Sequence, residues 1–419
     1  MKNAIRRIAM PVLAVIATLS WTGRAQAAGF LVYDVSAEGM GKASAFSASI
    51  DEPSAIWFNP GAVGFMPGWQ ASAGGLYVTS SNHFDPKNAG QSWDAKRGNY
   101  FLPSAFVTGR ILDWFAVGLG VCTPFGLGTK WPANWVGREY ALDTSIQTII
   151  INPTLAFKVY KTVSIGVGVD IIYGSVDMKS GLPEVMGGTV EVGGDTWTAG
   201  GNIGILWKVL PGLFHASVAY RSRARLNFKN GRADFDPEHE EFDRDLPDQG
   251  GKAVIDLPDI LTVGFMYRPH PSWTLTLDAN VTFWSVYKEI KLDFSEADDV
   301  VKHRDWHDAV TVRLGLDYKA PLRSTAGRLN IRAGFLFDQN PAPKDKLDPS
   351  LPDANRIAAT AGVGYAYKWI KADIGYMFVY FLPSKATTGQ EGPEGTYSAM
   401  AHLIGLSITG RFGAAARHN

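Results

Sequence analysis

Only one cysteine, Cys122, stands in the 419 residues, so no internal disulfide can staple this chain. Beyond the first two dozen residues, no apolar run approaches the roughly 18 to 20 residues that a membrane-spanning helix requires. Neither sign of charge is in excess, with 40 Lys and Arg against 40 Asp and Glu, which argues against a nucleic-acid partner. A G-x-S-x-G elbow is missing. The Gly-x-Gly runs at 118–120, 166–168 and 362–364 lie inside alternating stretches with no helix after them, so they build no phosphate cradle and read as sites of close packing. No cofactor is expected, and nothing marks an enzyme.

What the chain has instead is alternation. The amino terminus places Lys2, Arg6 and Arg7 before an apolar run from Ile8 to about Leu19 and then Ala25-Gln26-Ala27, the pattern of a secretory signal over residues 1–27. Behind it come fourteen stretches in which apolar and polar residues alternate, near 69–80, 98–109, 113–122, 144–160, 162–178, 196–209, 213–228, 252–269, 272–293, 306–319, 327–338, 355–369, 371–382 and 399–412. Seven long polar segments (81–97, 123–143, 179–195, 229–251, 294–305, 339–354 and 383–398) alternate with six short turns. In 310–319, Val310, Val312, Leu314, Leu316 and Tyr318 share one face, while Thr311, Arg313, Asp317 and Lys319 share the other. Strand side chains alternate with period two, and stretches of ten or more residues suit the about 9 to 11 needed to cross a bilayer as a tilted strand. The expectation is an all-β, 14-stranded antiparallel transmembrane barrel over residues 69–412. Aromatics at the short-turn ends, among them Trp114, Tyr160, Trp207, Tyr267, Trp273 and Trp369, form a candidate headgroup girdle.

Residues 28–68 break the pattern. They are rich in Gly, Ala and Ser, have helical patches, and carry Phe30, Ile56, Trp57 and Phe58. A segment too apolar for a linker is most economically placed inside the barrel, as a plug. Two constellations remain. His303 and His307 are four apart, a spacing that holds a metal only on a helix; in an external loop they read as solvated, so no metal is expected. Arg221, Arg223 and Arg225, with Arg313 and Arg332, fall on inward faces and can receive a carboxylate in the lumen.

The chain resembles the FadL/TodX long-chain fatty acid and hydrocarbon transporters of the outer membrane across its mature length. The resemblance rests on Ala28-Gly29-Phe30, Ser36-Ala37-Glu38-Gly39-Met40-Gly41, Ile56-Trp57-Phe58-Asn59-Pro60-Gly61, Pro124-Phe125-Gly126, Leu257-Pro258-Asp259, Asp338-Gln339-Asn340-Pro341 and Leu351-Pro352-Asp353-Ala354-Asn355-Arg356. It implies a barrel with an amino-terminal hatch, whose Asn-Pro-Ala tripeptide approaches an inward kink in the third strand beside a lateral opening. Here the tripeptide is Asn59-Pro60-Gly61, with Gly in place of the usual Ala, which is expected to loosen the turn. Gly118 and Gly120 are the expected site of the kink. Such barrels usually end on an aromatic read by the barrel assembly machinery, whereas Phe412 is followed by an extension, 413–419.

The resemblance also implies the route. A chain of about sixteen carbons forfeits on the order of 12 kcal/mol in water, at about 0.8 kcal/mol per methylene, so a carrier must offer continuous apolar surface past lipopolysaccharide and into outer-membrane lipid. Capture falls to a loop groove, here Leu182, Val185, Met186, Phe235 and Phe242. Gly29 and Phe30 border the inner pocket and shift to release ligand sideways, passively, from a monomer. The cargo is hydrophobic: long-chain fatty acids, or in the alternative monoaromatic or alkane hydrocarbons. A barrel enzyme would need a Ser/His pair on its outer wall, and a structural barrel would have an immobile plug.

Overall fold

A computed structural model describes residues 29–412 except 89, 243–245, 297–298, 321, 323–326 and 388–390. The signal segment 1–27 and the extension 413–419 lie outside the described residues. The chain forms a closed antiparallel barrel of fourteen strands: β1 (Trp69–Pro86), β2 (Gly98–Leu112), β3 (Phe115–Cys122 and Gly126–Lys130), β4 (Asp143–Tyr160), β5 (Val163–Gly181), β6 (Thr189–Leu210) and β7 (Phe214–Arg221 and Ala224–Asp236). The second half comprises β8 (Gln249–Leu257 and Ile260–His270), β9 (Trp273–Thr282 and Glu289–Phe294), β10 (Val300–His303 and Ala309–Ala320), β11 (Arg328–Asp338), β12 (Arg356–Tyr367), β13 (Ile370–Ala386) and β14 (Gly395–Phe412). Closure is by an unbroken ladder between β1 and β14, from Trp69↔Phe412 to Pro86↔Gly395. This seam leaves neither the first nor the last strand with a free edge, as a membrane-spanning sheet requires.

Several strands run further on the long-loop side than alternation suggests. β1 continues to Pro86 and β5 to Gly181, and β3 resumes at Gly126. Above the apolar belt nothing forces one face to be greasy, so the ladder extends without a hydropathy signal. Within the belt the outward positions are apolar and exposed, as at Leu155, Val167, Ile203, Val218, Leu314 and Ile374. At the short-turn rim Trp114, Tyr160, Trp207, Tyr267 and Trp369 also face outward, and Trp273 packs on Tyr318 with ring centroids 4.5 Å apart. The inward positions of the lower barrel are polar and buried, including Asn152, Asp170, Asp278 and Asp317.

Breaks in β7 and β8 shift the phase of this arrangement, while β9 keeps its phase across its break and carries apolar residues inward above it. Below the breaks the lumen side carries Ser217, Arg221, Thr262, Asn280 and Arg313; above them it carries Leu226, Phe228, Ile255, Ile290 and Leu292, all buried. An inserted residue shifts the period-two phase and moves every following side chain to the other face. The lumen is therefore polar around the hatch and greasy towards the long loops. The same shift corrects the reading of 213–228 as one strand. Beyond Ser222 the phase reverses, so Arg223 and Arg225 point outwards, 67 % and 69 % exposed in their side chains, pairing with Asp259 and Asp256.

Candidate functional site: hatch, lumen cavity and wall break

The hatch fills the lower lumen with α1 (Ala37–Met40), α2 (Ala55–Phe58) and a 3-10 turn (Pro60–Phe65). These helices are too short to persist alone, and the wall holds them at their ends. The carbonyls closing α2 are received by Arg221 Nη2, 3.1 Å from Trp57 O, and by Asn202 Nδ2, 3.1 Å from Ile56 O. Arg221 also pairs with Asp170. The N–H groups of Phe46 and Ser47 donate to Asp278 Oδ2 at 3.0 and 2.9 Å. Arg332 joins Asp373 (2.7 Å), Asp317 (3.2 Å) and hatch Glu38 (3.5 Å), and Lys371 joins Glu38 and Glu52. The carboxylates of Glu38, Glu52 and Asp373 converge within 4.8 Å of one another, and Lys371 and Arg332 supply the positive charge there.

Asn59 fixes the tripeptide. Its Oδ1 accepts from Gly61 N at 3.0 Å, and its Nδ2 donates to Ser47 O at 3.1 Å and Ile205 O at 3.2 Å. The turn lies in a cradle of wall glycines. A Cβ at Gly61 would meet Gly204 O at 2.7 Å, one at Gly204 would meet Pro60 Cδ at 2.8 Å, and one at Gly166 would overlap the Pro60 carbonyl and approach Gly61 N to 2.7 Å. The glycine at position 61 is thus imposed by closeness to backbone and fits the turn tightly, contrary to the looser turn expected from the sequence.

Strand β3 is interrupted at 123–125, between its two segments. Through Gly118 and Gly120 it stays in register with β2 and β4, so the break does not lie at these glycines; they admit Ile56 of the hatch, whose Cδ1 would be 2.8 Å from a Cβ at Gly118. The break coincides with a lapse in the wall. β2 pairs with β3 only from Ser104 to Leu112, and among the described residues 98–103 have no ladder partner on that side. The hatch start takes up the loose edge: Val32 N donates to Pro124 O at 2.7 Å and Gly126 N to Phe30 O at 3.2 Å.

Beside this break lies a cavity of about 160 Å³. Residues Gly29 to Asp34 form one wall and Leu336, Met377, Val379 and Leu403 another, with Tyr100, Gly126 and Gly128 at the β2–β3 lapse. Its polar end holds Arg313, Arg356 and Asp338. Arg313 Nε donates to Asn280 Oδ1 at 2.9 Å and its guanidinium stacks 4.7 Å from the Tyr33 ring. Arg356 Nε donates to Asp338 Oδ2 at 2.7 Å. Of the five arginines expected in the lumen, Arg313 alone lines this cavity; Arg221 and Arg332 are committed to the hatch and Arg223 and Arg225 face outwards. Arg356 was visible in the sequence only as the end of a resembling motif.

Gly29 has φ +65°, and its N–H donates to Asp353 Oδ2 at 2.6 Å. Burial raises the Asp353 carboxyl to about 6, against the pull of Arg356 and of the Gly29 and Ala354 N–H groups. A free Asp titrates near about 3.9, so between these values the folded chain holds a proton that the unfolded chain releases. This group therefore favours the folded state increasingly as pH falls through about 6, yet protonation removes the charge assistance from the Gly29 bond. Amide exchange in the first hatch residues, corrected for intrinsic rates, is expected to quicken between pH 7.5 and 5. Asp353→Asn should abolish the dependence, and a hatch start equally protected at both pH values would contradict it.

Among the loop candidates Leu182 is buried and Val185 is 70 % exposed. Phe235 meets Phe294 with ring centroids 5.9 Å apart, and Phe242 lies on a short 3-10 turn, Glu240–Phe242. Glu238 N donates to Met186 O at 3.2 Å, so the two loops touch. His303 ends a strand segment and no helix spans 303–307, so the two histidines lack the shared helical face a metal would need.

A barrel plugged by its own amino-terminal segment, with an amphipathic lumen cavity beside a break in the wall, defines a conduit of the outer membrane. The family described as outer membrane protein transport protein (OMPP1/FadL/TodX) matches residues 18–412, and the chain belongs to it. The long-chain fatty acid transport protein of Salmonella typhi is 25% identical over 414 residues, covering 91% of this chain and 92% of its own. Outer membrane protein P1 of Haemophilus influenzae is 23% identical over 462 residues, covering 94% and 98%. The solved FadL homologue of Pseudomonas aeruginosa superposes with TM-score 0.83 at 23% identity, covering 92% of this chain and all of that one. The P. putida toluene transporter TodX gives 0.70 at 17%, covering 93% and 99%. The protein is located in the outer membrane of a Gram-negative bacterium.

Proposed function

We propose that the protein carries long-chain fatty acids passively across the outer membrane, from the loops, through the lumen cavity and sideways out at the β3 break. The observation that carries this reading is the amphipathic cavity. Its sides are aliphatic, while Arg356, which bonds Asp338 through Nε, sits with Arg313 at one end. An acyl chain gains about 0.8 kcal/mol per buried methylene, and a charge-assisted bond to a carboxylate is worth about 1.5–3 kcal/mol. A hydrocarbon would gain nothing from that polar end. The hatch start, bonded to Pro124 and Gly126 at the break, couples ligand in the cavity to the wall: moving Phe30 to Val32 frees the edge of β3. The curated relatives named as fatty acid transport proteins add to this reading.

Removing Arg356 alone would strand the buried Asp338, so the test is the double variant Asp338→Asn with Arg356→Leu. Oleate affinity measured by calorimetry in detergent is expected to fall about 10- to 100-fold, the equivalent of one charge-assisted bond, while hexadecane uptake by cells is unchanged. Equal loss for both cargoes, or none for oleate, would refute the assignment.

A further inference from the structure

Phe30 sits in a box of aromatic rings. Its ring centroid lies 5.0 Å from Trp284, 5.9 Å from Phe125, 6.0 Å from Tyr287 and 6.5 Å from Trp306. Trp284 and Trp306 are themselves edge to face at 5.0 Å. All of these rings are buried, and a Cβ on the neighbouring Gly29 would come within 2.8 Å of Trp306. As packing, the box is complete. As hydrogen bonding it is not: the indole Nε1 atoms of Trp284 and Trp306 are buried without an acceptor among the described residues. Other buried indoles of this chain behave differently. Trp57 Nε1 donates to Tyr33 O at 3.0 Å, Trp131 Nε1 to Pro349 O at 2.9 Å and Trp135 Nε1 to Ala141 O at 2.8 Å. Buried indole N–H groups ordinarily find a partner; both of these orphans belong to rings that touch Phe30, whose own ring offers no acceptor.

We propose that this box is a binding site for an aryl ring bearing an oxygen acceptor, a monoaromatic ketone, phenol or carboxylate, and that Phe30 occupies it in the absence of such a ligand. Exchange of one phenyl ring for another is close to neutral in packing. A plain hydrocarbon therefore displaces Phe30 only by mass action, whereas an oxygenated one also satisfies indole N–H groups that the hatch leaves unbonded. The site sorts aromatic cargo by its oxygen and ties recognition to the hatch, because the residue expelled is part of the strip bonded to the β3 break. The inference goes beyond fatty-acid carriage and does not depend on the Arg356 assignment.

Acetophenone and ethylbenzene, nearly equal in shape and differing by one carbonyl, serve as probes in calorimetry on the purified full-length barrel in detergent. The quantity read is the ratio of their affinities, compared between wild type and variants so that micelle uptake cancels. That ratio is expected to fall at least tenfold in Trp284→Phe, in Trp306→Phe or in their combination, and Phe30→Ala is expected to tighten both ligands by removing the competitor. A ratio that survives the double substitution in a barrel still showing heat-modifiable migration overturns the proposal, as does a Phe30→Ala variant that binds neither ligand more tightly. Oleate titration of the same preparations separates the two readings: unchanged oleate binding with an unchanged ratio refutes the aromatic site alone.

Discussion

Gly166→Val is expected to turn a sealed barrel into a conducting one. The position lies on β5 under the hatch turn, where even a single carbon would overlap the Pro60 carbonyl; the nearest atoms are backbone, and backbone cannot rotate away. Overpacking of this sort costs about 1–3 kcal/mol when neighbours can yield, and more when they cannot. The turn yields most cheaply by lifting off the wall, which would break the Asn59 bond to Ile205 O. Planar-bilayer conductance and sensitivity to a hydrophilic antibiotic should both rise, and deleting residues 30–66 in the same background should add little further. Gly201→Ala is the control, since its Cβ would meet only Gly168 O at an ordinary 3.4 Å. A Gly166→Val barrel that folds and remains as tight as wild type would show that the glycine cradle does not seat the hatch.

The second large effect is expected from Arg332→Met. This guanidinium is the shared partner of Glu38, Asp317 and Asp373, its side chain only 2 % exposed. Methionine is uncharged and leaves Asp317 without its cation, while Glu38 keeps Lys42 and Lys371 and Asp373 keeps Lys371. Breaking a buried ion network from one side costs about 3–5 kcal/mol, because the unpaired charges stay desolvated. Wall strands are held by long ladders, so the loss should fall on the hatch. Hydrogen-exchange protection around residues 38–52 is expected to drop about 100- to 1,000-fold, taking 1.4 kcal/mol per factor of ten. Adding Glu38→Gln should recover part of it. Undiminished protection would mean that the cluster is not what anchors the hatch.

The wall was legible from residues 310–319, whose outward Val312 and Leu314 and inward Thr311, Arg313 and Asp317 lie where alternation puts them. Lipid and lumen are two solvents, and a two-solvent wall writes its period into the chain. The plug was legible for the opposite reason, as an apolar segment without that period. What stayed hidden were the phase shifts. Ser222 and Arg223 look like one more pair of an alternating run, yet they invert it, and the three arginines beside them separate into one that grips the hatch and two that leave the lumen. Trp284, Tyr287 and Trp306 were equally silent: they lie in the breaks of β9 and β10, where no repeat exists to be read, and are brought around Phe30 from far along the sequence. Arg356 is a single charge at a strand start, and nothing local distinguishes it from a structural one.

The ladder between β1 and β14 joins the two ends of the barrel sequence, and it bears on the order of events during assembly. The hatch is synthesised first, but much of what holds it comes last. Ala43 N donates to Thr360 Oγ1 at 3.1 Å, Lys371 receives Glu38 and Glu52, and a Cβ at Gly375 would crowd Ala37 O. Until β11 to β14 exist, the acidic hatch has few of its cations. Once the terminal seam zips, the perimeter is complete and a segment left outside has no edge through which to enter. Nascent chains must therefore hold the hatch within the curling sheet while the ring is still open, and the final strand both shuts the cylinder and locks in the first-made segment.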